Sequence, residues 1–377
     1  MNCIFLLSGD YLDLGKEEVI SLFNIQNYNL IDRLLIAGLN ENLDKNLVKR
    51  LALTKSIYKM LFECKIEDLT DSMKNFGWNS IYQDSFCLRI HDSNDNDYKF
   101  NNKIDNKKIK NKKFPTTSGV KGDGRNPFAI PSEKELAGHI WRNVNNPKVD
   151  LENSKTQIQL FIIKNKAYCG LLVYENKEDF ESRKSHKRPF PHPSSLHPKV
   201  ARALANISGI KEKEILLDPF CGTGGFLIEA GLMGLKTLGY DINKIMINGC
   251  IRNLKHYKIK NYKIKNNNAT NINDRFDYIV TDLPYGLNSN VMLKYEKDWK
   301  KHRLNLKIQK KDFHKNLEQF YLLFLKNLRK KLKKKAVIVF PDYVDYKKLL
   351  KQSKFKIEKE FEQYVHRSLR REIVKIR

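Results

Sequence analysis

The chain has 377 residues, 41% apolar and 11% aromatic, enough to fill the two or three cores expected at that length. Lys and Arg number 70 against 43 Asp and Glu, a formal charge of +27, and such an excess gains affinity by releasing counterions from a polyanion. A genome biased toward A and T would impose the same richness in Lys, Asn and Ile on solvated positions, so charge alone does not settle the partner.

No run approaches the roughly 18 apolar residues of a membrane span, and the start, Met1 to Asp10, has no basic n-region and is too short for a signal peptide. A membrane partner is therefore not expected, and the chain is read as cytoplasmic. Cys3, Cys64, Cys87, Cys169, Cys221 and Cys250 are scattered, with no Cys-x-x-Cys and no His spacing that suits zinc. Free thiols in a reducing compartment, no metal and a monomer are expected.

Up to about Ile90, short apolar runs such as Ile4–Leu7 and Leu34–Ile36 alternate with helical-looking stretches, Leu47 to Leu61 among them, which suggests a small α/β module. From Asp92 to Arg125 the residues are mainly Asn, Asp and Lys, the composition of a flexible loop or insertion. Ser132 with Glu135 forms a capping box ahead of Leu136, Ile140 and Trp141, so a helix starts there. Ile158–Ile163 and Ala167–Tyr174 read as a strand pair around Lys164–Lys166, and Glu175 to Lys187 as a charged connector.

Beyond Arg188 the pattern becomes strand and helix in alternation. The strands are Ile215–Asp218, Thr237–Asp241, Lys263–Lys265, Tyr278–Asp282 and Ala336–Phe340, which implies a parallel sheet covered by helices. Phe313 to Leu332 keeps helical spacing at Leu317, Phe320, Tyr321, Phe324 and Leu328 and reads as a core-packing helix. Phe355–Val365 and Arg371–Ile376 read as two strands joined by a tight loop.

Ligands of an open parallel sheet sit at the carboxyl ends of the strands where strand order reverses. The turn Asp218-Pro-Phe220-Cys221-Gly222-Thr223-Gly224-Gly225 is placed there, its glycines letting backbone approach a ligand closely. A P-loop would need Gly-Lys-Ser/Thr and is excluded. A dinucleotide fold would want glycine where Leu227 stands. What is left is a nucleoside-type cofactor without a pyrophosphate, with Asp241 at the next strand end accepting from both ribose hydroxyls and Ile242 beside it.

Asp282-Leu283-Pro284-Tyr285-Gly286 then resembles the (Asp/Asn)-Pro-Pro-Tyr motif of amino methyltransferases. The amine on an aromatic ring is a poor nucleophile, because its lone pair is delocalised. A carboxylate and a carbonyl accepting from both N–H groups pull that nitrogen toward tetrahedral geometry and aim its lone pair at the methyl donor, S-adenosylmethionine. Asp282 supplies the carboxylate, Leu283 or Pro284 the carbonyl, and Tyr285 a face for the extruded base. A strand-ending turn with a packed Tyr is the plainer alternative. Asn268 and Ala269, after the third strand, stand where the cofactor's adenine would be read, although Asn266–Asn268 is equally an ordinary turn. Cys221 has no Pro-Cys context and suits a small buried role better than a nucleophilic one.

Three further segments are similar to the archaeal THUMP-domain tRNA guanine-N2-methyltransferases: Arg188-Pro-Phe-Pro-His-Pro-Ser-Ser-Leu-His-Pro198, Val149–Asn153 with Tyr168-Cys-Gly170, and Val365-His-Arg-Ser-Leu-Arg-Arg371. Together they span roughly 130 to 377. The chain departs from that family's pattern at Leu283, where proline is usual, and at Ser154 after Asn153.

The resemblance implies a C-terminal Rossmann-like α/β domain with a mostly parallel seven-stranded sheet, and an N-terminal α+β region that contains a THUMP domain. It divides the chain into a small α/β domain (1–55), a THUMP domain (56–175), a linker (176–190) and a methyltransferase domain (191–377). It also implies tRNA as partner and methylation of the guanine at position 10, once or twice. Adenine-N6 methylation of DNA or RNA and a tRNA-binding protein with impaired catalysis are the alternatives. Arg367, Arg370 and Arg371 are candidates for RNA contact.

Overall fold

The computed structural model describes residues 1–39, 43–92, 130–193, 195–273, 275–285, 309–366 and 369–377. Most of the expected insertion, together with Gly286 and Arg367, lies outside the described residues. Two compact units divide the chain: Met1–Gly9, Asn27–Asn42 and Lys55–Glu175 form one, and Asp10–Gln26, Leu43–Thr54 and Asn176–Arg377 form the other. Residues 1–55 therefore contribute to both.

The first unit is built on β1 (Asn2–Leu7), β2 (Tyr28–Ile31), β3 (Leu34–Gly38), β4 (Thr54–Lys65), β5 (Phe86–Asp92), β6 (Thr156–Ile163) and β7 (Lys166–Glu175), in the order β2-β3-β1-β4-β7-β6-β5. Alternation along β6 supplies both faces. Ile158, Leu160 and Ile162 pack with Leu69, Met73, Leu136 and Ile140 from the helices Leu69–Asn75 and Glu133–Arg142, while Phe161 joins Ile4, Tyr58 and Tyr168 on the other side. Ser132 and Glu135 make the expected capping box.

The helical-looking stretch Leu47 to Leu61 is a correction. The helix there ends at Arg50, and β4 begins at Thr54. Thr54, Ile57, Tyr58 and Phe62 are β-branched or aromatic, and β4 pairs antiparallel with β7 from Ser56↔Glu175 to Lys65↔Lys166. Pairing about a hundred residues away overrides the local period.

The second unit holds β8 (Ile215–Asp218), β9 (Lys236–Asp241), β10 (Tyr262–Asn266), β11 (Phe276–Asp282), β12 (Leu332–Pro341), β13 (Ile357–His366) and β14 (Leu369–Ile376). Their order is β10-β9-β8-β11-β12-β14-β13. The first five are parallel, and β14 runs antiparallel to both β12 and β13. This is the mostly parallel seven-stranded α/β sheet expected. Its order reverses between β8 and β11, so the turn after β8 and the motif ending β11 come side by side.

Two buried polar clusters fasten pieces distant in sequence within this unit. Glu18, fully buried, accepts from the backbone N–H groups of Ala52 and Leu53 at 2.9 and 2.8 Å and from the Asn206 amide at 2.8 Å. The Glu229 carboxylate, also fully buried, takes Arg183 Nε at 2.7 Å and Arg202 Nε at 2.9 Å. Both arginines also reach Glu178 and lie about 5 Å from the Phe180 ring, at 4.9 and 5.0 Å. The segment expected as a linker is thus packed into the second unit around Phe180 and Arg183. No described helix is long and apolar enough to cross a membrane.

Candidate active site

The turn after β8 owes its shape to two left-handed residues, Gly222 at φ 48° and Gly224 at φ 89°, a conformation costly for any residue with a Cβ. A Cβ on Gly224 would stand 2.8 Å from Cys250 Sγ, whereas one on Gly222 would enter open space. Gly225 then opens the helix Gly225–Leu232. Cys221 is buried among Leu227, Ile228, Cys250 and Leu254, and its hydrogen bond with Cys250, together with burial, raises its thiol well above the ordinary range. That environment suppresses the thiolate a nucleophile requires.

Asp241, at the end of β9, holds this turn from the side. Its Oδ2 accepts from the Gly222 N–H at 3.0 Å and its Oδ1 from the Asn243 N–H at 2.8 Å. Each oxygen keeps a further acceptor direction. Ile242, 45% exposed, offers an apolar surface beside the carboxylate. β10 closes the other side, with the Asn266 amide donating to the carbonyls of Asp241 and Ile242. Asn268 Oδ1 accepts from both the N–H and the hydroxyl of Thr270, each at 2.9 Å, so it caps its own turn. Ala269 is buried in the core beside it.

Asp218 is also buried, and its Oδ1 accepts from Thr281 Oγ1 at 2.7 Å and from the Phe220 N–H at 3.1 Å. It thereby ties the Gly-rich turn to β11. Burial, with Asp282 and Asp241 nearby, pushes its carboxyl up to about 7. Phe220 packs edge-on against Phe324 of the helix Gln309–Lys331, ring centroids 5.0 Å apart. The Thr223 carbonyl accepts from Asn253 Nδ2 at 3.0 Å, and the same amide donates to the Phe190 carbonyl. Asn253 thus stitches the Arg188–Pro198 segment to the turn.

Asp282 closes β11 next to these groups. Burial pushes its carboxyl up to about 6 against the pull of Arg371 and of the Tyr285 hydroxyl. Leu283 is 2% exposed and packs in the core, while its N–H donates to the Val339 carbonyl at 3.1 Å. The Pro284 carbonyl accepts from Tyr321 Oη at 2.6 Å, and the Tyr285 carbonyl from Tyr343 Oη. Tyr285 Oη donates to Asp282 Oδ1 at 2.5 Å.

A family model described as an RMKL-like methyltransferase domain matches residues 185–293, which include both strand-end motifs. Among curated proteins, the tRNA (guanine(10)-N2)-dimethyltransferase of Methanothermobacter thermautotrophicus is 30% identical over 334 residues, 87% of this chain and 84% of the relative. The chain belongs to the tRNA (guanine(10)-N2)-dimethyltransferase family. Relatives of the same name in Methanocaldococcus jannaschii and Pyrococcus abyssi are 30% and 28% identical, covering 76% and 95% of this chain and 82% and 94% of their own lengths.

Within this chain, three side chains reach the Asp282 motif that motif reading did not place there. Tyr321 looked like a core residue at helical spacing; it is fully buried, and its hydroxyl donates to the Pro284 carbonyl. Tyr343, after β12, carried no signal. Arg371, expected as an RNA contact, is 7% exposed and lies against Asp282 and Tyr285. Arg370 is exposed and pairs with Glu362 at 3.1 Å.

Proposed function

We propose that this chain transfers one or two methyl groups from S-adenosylmethionine to the exocyclic N2 amine of the guanine at position 10 of tRNA, in the cytoplasm. The observation that carries the reading is the position of the Asp282 carboxylate, at the strand end beside the Gly-rich turn where the sheet order reverses. The first unit, with its THUMP-like sequence features, is assigned to RNA binding.

The cofactor site takes Gly222, Thr223, Gly224 and Gly225 as its floor, with Asp241 accepting from the ribose hydroxyls. Ile242 supplies an apolar wall for the adenine, with Asn268 and Ala269 at its edge. Two observations support that fit: a Cβ at Gly222 would protrude into the space above the turn, and Asp241 keeps acceptor capacity beyond its two backbone bonds. Asp218, Phe220 and Cys221 act beneath it by holding the turn. S-adenosylmethionine supplies an electrophilic methyl group when bound there.

Asp282 accepts from one N–H of the guanine amine. The second acceptor is the Leu283 carbonyl, which takes no donor among the described residues, whereas one lone pair of the Pro284 carbonyl is occupied by the Tyr321 hydroxyl. Accepting from both hydrogens localises the lone pair on nitrogen, and fixing the amine orients it for in-line attack. Tyr285 offers its ring for stacking, and Pro284 keeps the loop rigid. Replacing the family's usual proline with Leu283 preserves the carbonyl that the chemistry needs.

The test is Asp282→Ala assayed with transcribed tRNA. Methyl transfer should fall to background while S-adenosylmethionine still binds in calorimetry. Digestion of wild-type product to nucleosides should give N2-methylated guanosine. Unchanged turnover in the variant, or N6-methyladenosine as product, overturns the assignment.

A further inference from the structure

Arg371 stands 89 residues beyond Asp282 in the chain, yet β14 returns it to the same site. Its neighbours across the sheet are Pro341 on β12 and Gln363 on β13. The guanidinium spans both members of the motif. Its Nε donates to Tyr285 Oη at 3.0 Å, and its Nη2 lies 3.8 Å from Asp282 Oδ2. Because Tyr285 Oη in turn donates to Asp282 Oδ1, the three side chains form a closed ring. The guanidinium carbon also lies 5.8 Å from the Tyr285 ring centroid, within cation–π reach. Nη1 is turned toward Gln363 Oε1 at 3.5 Å.

A residue held this way does not suit phosphate contact, which calls for a solvent-facing guanidinium, and Arg371 is 7% exposed. The charge balance around Asp282 shows what it does instead. Asp282 is flanked by the Asp218 carboxyl at the end of β8, with Asp241 beyond it at the end of β9, by the Tyr285 phenol, and by Tyr321 from the helix Gln309–Lys331. All of these are acidic or neutral. Among the described residues, Arg371 is the cation within ion-pair distance of Asp282. An ionised carboxylate accepts from an amine N–H more strongly than a carboxylic acid, whose proton puts a donor on one of its two oxygens, and removal from water opposes ionisation.

We propose that Arg371 is a positioning residue for methyl transfer: its guanidinium locks the Asp282 carboxylate and the Tyr285 phenol into one unit, so that the carboxylate meets the amine ionised and correctly oriented. The proposal rests on the reading of Asp282 as the amine acceptor. Arg371 acts through its neighbours and does not touch the reacting atoms.

The experiment is a single-turnover pH–rate profile on tRNA with saturating cofactor, for wild type, Arg371→Gln and Arg371→Lys. Loss of the charge should move the acidic limb of Arg371→Gln upward by about one pH unit or more, so that its fold deficit is largest on the acidic side of the limb and shrinks as pH rises. Arg371→Lys should restore the limb to within about half a unit of wild type, because it returns the charge without the planar fork. S-adenosylmethionine and tRNA affinities should be nearly unchanged.

A deficit of equal size at every pH, or one wholly due to weakened tRNA binding, overturns the proposal in favour of a structural or phosphate-binding role. If Arg371→Gln does not fold, Tyr285→Phe carries the test. That variant leaves the guanidinium in place and removes the phenol's bond to the carboxylate, so its limb must also rise, and an unmoved limb overturns the ring. A wild-type protein that methylates no guanine N2 removes the functional reading and the proposal with it. Wild-type activity with unmoved limbs removes the proposal alone.

Discussion

Replacing Asp218 with Asn tests whether the first residue of the Gly-rich turn is a structural clasp. Both of its hydrogen bonds, from Thr281 Oγ1 and the Phe220 N–H, fall on one oxygen, so an Asn carbonyl can accept both without rearrangement. The change removes ionisation and puts an amide NH2 in place of the second oxygen. Burial lifts the Asp218 carboxyl from 3.8 to about 7; a folded-state value above the unfolded one means that folding takes up a proton between those limits. The stabilisation is complete below 3.8 and is lost as pH rises through about 7. At about 1.4 kcal/mol per pH unit, the loss over that window is about 4 kcal/mol at most. Asp218→Asn should lack this slope and be more stable than wild type above pH 7, with the two closest near pH 4. Urea unfolding of both proteins at pH 5, 6, 7 and 8 reads the difference directly. A variant less stable than wild type at pH 8, or one whose stability keeps the wild-type pH slope, refutes the reasoning.

Leu283→Ala removes a side chain that is 2% exposed in the core of the second unit; a Leu→Ala truncation of this kind costs about 2–5 kcal/mol. It should lower the thermal midpoint by several degrees and slow methyl transfer more than it weakens S-adenosylmethionine binding, since the loop that presents Asp282 loses its anchor. Thermal shift and single-turnover rates, measured together, check both parts. Glu18→Ala strips the acceptor from two backbone N–H groups and the Asn206 amide, and unmatched buried groups of this sort cost about 3–5 kcal/mol. Chemical denaturation should show that loss, and a change below about 1 kcal/mol would mean the cluster does not hold Asp10–Gln26 and Leu43–Thr54 in the second unit.

What the sequence disclosed and what it withheld divide by distance along the chain. Strands β8, β9, β11 and β12 were legible because each is a short apolar run ending at a turn, and an apolar run reports burial on both faces of a parallel sheet whatever lies beside it. The capping box at Ser132 was legible because its two partners are three residues apart. β4 was misread because its apolar spacing also satisfies a helical period, and what decides it is the ladder to β7. The second unit's hold on Asp10–Gln26 was invisible for the same reason, for Glu18 and Asn206 are 188 residues apart.

The candidate site follows that division closely. Asp282 and the glycines could be found because each motif is contiguous and its chemistry constrains adjacent residues. Asn268 stands at the expected strand end, yet its carbonyl is spent on Thr270, an outcome that depends on rotamer and not on spacing. Tyr321 and Arg371 could not be found by spacing at all, because each serves the motif from another element. Tyr321 had a sufficient explanation as a core residue, and a buried ring with one polar atom satisfies two requirements at once. Arg371 resembled any basic residue near a strand end. What marks it is a buried charge, since a guanidinium at 7% exposure persists only where partners repay its desolvation. Its partners here are Asp282, the proposed acceptor for the amine, and Tyr285, whose hydroxyl is bonded to that carboxylate. A motif therefore reveals the groups that touch the substrate, whereas the groups that set their charge are found only by asking which buried charges the fold retains and what they face.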